Sequence, residues 1–152
     1  MSCLIDTNIL LRIVQNDHPM NEAAVQSVKI PFERGETLYI APQNLIEFWV
    51  VATRPIAVNG LGLSIAQGLE EIEEIKNTFT LLFDTEDIFL IWENLIASYK
   101  IIGKPAHDTR LVAIMITNNL TDLLTFNASD FKKYTEINTF TPNHLIHSTT
   151  TD

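Results

Sequence analysis

Cys3-Leu4-Ile5-Asp6-Thr7-Asn8-Ile9-Leu10 opens the chain with a short apolar run, an acid directly behind it, and a second apolar stretch. The first run reads as a buried or half-buried strand over residues 2–5, which puts Asp6 at the strand's carboxyl end. Four later segments read the same way, each bounded by turn or cap residues: 37–41, 79–83, 122–125 and 138–141. Helical stretches alternate with them. Residues 8–15 form the first, and 21–34 the second, with Asn21 as its N-cap, a break or bend at Pro31 and a stop at Gly35. Pro42 suits the first turn of a helix over 42–53 that ends before Arg54-Pro55. Ser64 and Gln67 have capping-box spacing for a helix over 64–77. Thr85 is placed to cap 86–100, and Asp108 to cap 108–119.

Strands alternating with helices predict an α/β fold: a mostly parallel sheet of about five strands with helices on both faces. Right-handed crossovers bring the carboxyl ends of all strands to one edge, where ligands of open α/β sheets bind. Asp6 follows the first strand. Glu47 lies in the helix after the second, Asp108 opens a later helix, and Asp130 comes just past the fourth strand. No local turn joins residues so far apart in sequence, whereas a shared sheet edge does.

Each acid has a plainer reading. Asp6 and Asn8 suit a helix cap, Asp108 an N-cap, and Asp130 a short turn before Phe131-Lys132-Lys133. Glu47 is different, because Leu45, Ile46, Phe48, Trp49, Val50 and Val51 surround it, and a buried charge needs a partner or a ligand. Four independent caps need not fall on one edge. Clustered carboxylates raise each other's pKa, so their gathering makes chemical sense as a cradle for a hard cation, Mg²⁺ or Mn²⁺. Such ions activate water and stabilise the charge of a phosphodiester under attack.

The 152 residues fit one domain, assigned to 1–147 with a frayed tail over 148–152. Apolar residues make up 46% and charged residues 19%, as in ordinary globular proteins. Cys3, the only cysteine, forms neither an intramolecular disulfide nor a thiolate metal cage and reads as a small buried hydrophobe. There is no signal-peptide layout and no long uncharged run, so the expected location is the cytoplasm, with no membrane contact. The net charge of −9 opposes phosphate binding unless cations neutralise the acids and local basic residues track the strand. Arg12, Arg54, Lys104, Arg110, Lys132 and Lys133 are the candidates, with Arg110, two residues past Asp108, counted among the substrate-supporting positions.

Taken together, Asp6-Thr7-Asn8-Ile9-Leu10, Glu47, Asp108-Thr109-Arg110-Leu111-Val112-Ala113 and Thr125-Phe126-Asn127-Ala128-Ser129-Asp130-Phe131 resemble the PIN-domain nucleases, and in particular the VapC-type toxins of toxin–antitoxin pairs. The resemblance implies a three-layer α/β/α sandwich with Asp6, Glu47, Asp108 and Asp130 as catalytic acids binding Mg²⁺ or Mn²⁺. It implies that Thr7, Asn8, Thr125 and Asn127 shape the site by hydrogen bonds to carboxylates or to the scissile phosphate. It also implies hydrolysis of single-stranded RNA to 5′-phosphate and 3′-hydroxyl ends, a homodimer, and inhibition by a cognate antitoxin.

Two stretches depart from the pattern. His107, in Gly103-Lys104-Pro105-Ala106-His107, stands where small or polar residues are expected and reads first as a loop residue, then as a substrate contact, and last as a metal ligand. The loop Arg54 to Gly62 is long, apolar and glycine-bearing, suited to gating substrate or to a dimer or partner surface. Two other functions fit some of these residues. A phosphatase of the haloacid dehalogenase kind uses Asp-x-Asp after its first strand, but here the second position holds Asn8. An RNA- or protein-binding domain acting through a partner fits the −9 charge if that partner is basic. His18, His144 and His147 show no ligand spacing. Glu70, Glu71, Glu73 and Glu74 read as a solvated helix face, and Ile88 to Tyr99 as core or dimer surface.

Overall fold

The five apolar segments form strands: β1 (Cys3–Ile5), β2 (Leu38–Ile40), β3 (Thr80–Leu81), β4 (Asp122–Leu124) and β5 (Asn138–Phe140). They come from a computed structural model that describes residues 2–148. All neighbours pair in parallel, in the order β3-β2-β1-β4-β5. Side-chain alternation splits the core in two. Cys3 and Ile5 of β1 and Leu124 of β4 join one apolar cluster, while Leu4 and Leu123 join the other.

Helices α1 (Thr7–Val14), α2 (Asn21–Glu33), α3 (Pro42–Thr53), α4 (Ile65–Thr78), α5 (Glu86–Tyr99), α6 (Pro105–Thr117) and α7 (Pro142–Ser148) cover the sheet. The first cluster takes Ile9, Ala24, Phe48, Ile75 and Leu145, from α1 to α4 and α7. The second takes Ile88 and Leu95 of α5 and Leu111 to Met115 of α6. The expected three layers follow from crossover handedness: winding outward from β1 to β3 covers one face, and returning from β3 to β4 covers the other. After β1 the chain turns toward β2, and after β4 toward β5, so a crevice opens between the carboxyl ends of β1 and β4.

Local signals worked unevenly. The Ser64 capping box is present: Ser64 Oγ accepts from the Gln67 amide over 3.1 Å, and Gln67 Oε1 accepts from the Ser64 amide over 2.9 Å. Asn21 does not cap its own helix. Its Nδ2 donates to the Arg12 and Ile13 carbonyls at 2.8 and 3.1 Å, closing the end of α1 instead. Helix α2 continues through Pro31 to Glu33, and the turn comes at Gly35, whose φ is +74°. Thr85 precedes α5, but its hydroxyl makes no capping bond. Asp108 is not a cap, because α6 begins earlier, at Pro105, a residue preset for the first helical turn. The sequence reading had no counterpart to α7, a short helix that buries Leu145.

The 54–62 loop is pinned rather than free. The Gly62 amide donates to the Arg54 carbonyl, Leu61 to Val51 and Leu63 to Ala52, which folds the loop back over the end of α3. Cys3 is fully buried, and burial pushes its thiol up to about 12, so it behaves as an inert hydrophobe. Among the described residues no helix is long and apolar enough to cross a membrane. The tail expected at 148–152 lies, beyond Ser148, outside the described residues.

Candidate functional site

Asp6 is the residue at which β1 becomes α1, and it serves both elements. Its Oδ1 accepts from the Thr7 amide over 2.7 Å, capping the helix. Its Oδ2 accepts from the Thr125 hydroxyl over 2.8 Å, across the crevice at the end of β4. Thr125 Oγ1 in turn accepts from Asn8 Nδ2 at 3.2 Å and from the Asn127 amide at 3.0 Å. Asn8 Oδ1 receives the Phe126 amide over 3.2 Å. The cap reading of Asp6 is therefore correct but incomplete, since only one oxygen caps while the other is fixed from β4.

Three other acids surround this point. Glu47, Asp108 and Asp130 line one cavity of about 440 Å³ together with Lys104, Pro105, His107 and Lys133. Asp6 is not among the lining residues and is only 8% exposed. Burial first, and then the charges of Glu47 and Asp130, push the Asp6 carboxyl up to about 6, although the Thr125 and Thr7 bonds pull it down. Asp108 is also raised to about 6, by burial and then by Asp6 and Asp130, against Lys133 and His107. Glu47 is raised by burial and by Asp108, with the neighbouring Gln43 amide and His107 opposing. Asp6 and Asp108 thus each feel the charge of Asp130, and Glu47 is close enough to act on Asp6 and to be acted on by Asp108. As the side chains stand, no group of three or more His, Cys, Asp or Glu among the described residues is arranged to hold a metal ion.

Glu47 offers an oxygen to a cation. It is half-buried on α3, and its Oε1 is buried with no hydrogen-bond partner among the described residues. A buried carboxylate oxygen without a donor is costly, and a hard cation satisfies it. The donor set is all oxygen, which suits Mg²⁺ or Mn²⁺ better than a soft metal.

The supporting residues divide. Thr7, buried, accepts from Asn44 Nδ2 at 3.3 Å, and Asn8 and Thr125 belong to the Asp6 network. Asn127 reaches that network through its backbone amide. Arg110 turns elsewhere: Nη1 donates to Gln43 Oε1 over 3.0 Å, and Nη2 pairs with Asp84 Oδ1 at 3.3 Å. Gln43 Nε2 meanwhile donates to the His107 carbonyl over 2.8 Å, bracing α3 against α6. His107 lies in the first turn of α6 and on the cavity wall, not in a loop, because Pro105 starts the helix ahead of it. Gln43 and the fully buried Asn44 were missed by sequence reasoning. Their signal was two amides at the head of an apolar helix: Asn44 Oδ1 receives the Ala41 amide over 2.8 Å and anchors α3.

Comparison with known proteins bears on the family and the fold. The PIN domain family matches residues 3–137. No curated protein sequence matches the chain. Among solved structures, the fold is similar to that of VapBC2 from Rickettsia felis bound to a promoter DNA fragment, with TM-score 0.69 and 16% identity over 93% of this chain and 98% of that one. It is similar to FitAcB from Neisseria gonorrhoeae, with TM-score 0.67 and 19% identity over 95% and 99% of the two chains. It is also similar to VapC20 of Mycobacterium tuberculosis, a toxin that cleaves the sarcin-ricin loop, with TM-score 0.57 and 13% identity over 80% and 86%.

Proposed function

The chain belongs to the PIN domain family, and from that premise we propose that it is a metal-dependent endoribonuclease of the VapC toxin kind, hydrolysing phosphodiester bonds of single-stranded RNA. The observation that carries this reading is the convergence of Asp6, Glu47, Asp108 and Asp130 at the crevice between β1 and β4, with a Glu47 oxygen left unpartnered. Asp6, Asp108 and Asp130 would hold Mg²⁺ or Mn²⁺, and Glu47 would complete the set or orient the attacking water. A divalent cation bound there supplies water activation and neutralises charge on the phosphate.

The chain's own residues do the rest. Thr125 and the Thr7 amide fix both oxygens of Asp6, so one ligand is preset before substrate arrives. Lys104 and Lys133, on the wall of the same cavity, meet phosphate oxygens and offset the acidity of a chain of net charge −9. VapBC complexes among the similar structures support an antitoxin partner, and the acidic surface suits a basic inhibitory segment. A homodimer is part of the same reading. So is a cytoplasmic location.

The test is cleavage of a generic single-stranded RNA by purified protein. Mn²⁺ or Mg²⁺ gives products with 5′-phosphate ends, EDTA stops the reaction, and Asp6→Asn folds but does not cut. Cleavage that persists in EDTA, or in Asp6→Asn at the wild-type rate, overturns the mechanism.

A further inference from the structure

Beside the acid-lined cavity lies a second one, of about 350 Å³, with a different chemistry. Thr85, Phe89, Trp92, Ala106, His107 and Arg110 contribute to its lining. His107 lines both cavities, so whatever fills the second is a direct neighbour of whatever is held at the carboxylates. Phe89 is 59% exposed, and its ring centroid lies 5.7 Å from that of Trp92, with 34° between the planes. The indole is held in place, since Trp92 Nε1 donates to the Ala106 carbonyl over 2.9 Å. The Arg110 guanidinium is fixed by Gln43 and Asp84. Thr85 adds a hydroxyl that caps nothing.

We infer that this second cavity is a nucleobase subsite, which takes the base of the nucleotide adjoining the phosphate held at the carboxylates, against the Phe89 and Trp92 rings and the Arg110 guanidinium. The inference rests on the ribonuclease reading above. Three flat groups, two of them tethered, match a flat ligand, and every base offers a π-face for stacking. The volume accommodates a single base, and a strand that places one phosphate at the carboxylates carries its next base past His107. The Thr85 hydroxyl, which makes no capping bond, lies on the same wall and suits a polar base edge. The subsite explains how an acidic chain holds RNA, because stacking supplies affinity that phosphate contacts alone do not.

Tryptophan fluorescence tests this separately from cleavage. Trp49→Phe leaves Trp92 as the only tryptophan, and the wild-type protein serves as the second sample should that variant fold poorly. Both are titrated in Mg²⁺ with a short phosphorothioate oligouridylate and with the same ribose-phosphate chain lacking bases. The base-bearing strand quenches Trp92, the abasic strand does not, and Phe89→Ala, at an exposed position, weakens binding about tenfold. Absence of quenching, equal quenching by the abasic strand, or unchanged affinity in Phe89→Ala overturns the subsite. A signal that follows protein concentration and ignores RNA also overturns it, assigning the groove to a protein contact. Cleavage without base-dependent quenching leaves the nuclease standing and removes the subsite; quenching without cleavage does the reverse.

Discussion

The Thr125 hydroxyl donates to Asp6 Oδ2 over 2.8 Å, joining residues 119 positions apart at the carboxyl ends of two adjacent strands. The bond is buried, and the same hydroxyl accepts from the Asn8 side chain and the Asn127 amide. Thr125→Val keeps the shape and leaves those three partners without their common group. The expected loss is about 1–3 kcal/mol of stability in chemical denaturation. Because the Thr125 bond holds the Asp6 carboxyl down, the acid limb of the cleavage pH profile moves upward in the variant. A purely structural role for Thr125 predicts the stability loss with an unmoved pH profile.

Raised carboxyl pKa values fix the sign of a stability effect. Asp6 and Asp108 lie near 6 in the folded protein, above their ordinary 3.8. Their contribution to stability is full below about 3.8 and is lost as pH rises through 6. The metal-free protein therefore gains stability on acidification from pH 7 to 5, on the order of 1 kcal/mol, mostly from buried Asp6, since half-exposed Asp108 is screened by solvent. In thermal melts Asp6→Asn, which carries no charge to neutralise, shows a smaller gain over the same range. An equal gain in both proteins removes Asp6 as its source.

The pinned loop after α3 gives an independent prediction. A Cβ on Gly60 comes 1.9 Å from the Arg54 carbonyl oxygen, a backbone atom that cannot step aside cheaply. Gly60→Ala costs about 1–3 kcal/mol of stability. The loop borders a groove with residues 14–19 and not the acid cavity, so the folded fraction keeps its turnover rate. A fall in rate without a fall in stability restores the gating role considered from sequence.

Much of the layout was legible because it follows from periodicity and handedness. The apolar runs marked the strands, and right-handed crossovers predict one shared edge for Asp6, Glu47, Asp108 and Asp130. What stayed hidden depends on competition between local signals. Pro105 started α6 ahead of Asp108, which moved His107 from an expected loop onto the cavity wall. Asn21 capped the helix before it, since the α1 carbonyls lay within reach. Gln43 and Asn44 acquired their roles only when α3 met α6 and α1, and Arg110 turned to Asp84 for the same reason. Tertiary partners of that sort leave no periodic trace in a sequence.

Calorimetric titration of Mn²⁺ into the metal-free protein decides whether the four carboxylates form a cation site. The expected result is that wild-type protein binds Mn²⁺ at neutral pH, that Asp6→Asn and Glu47→Gln each weaken binding by at least about tenfold, and that both variants remain folded. Equal Mn²⁺ affinity in all three proteins, or none in the wild type, contradicts it.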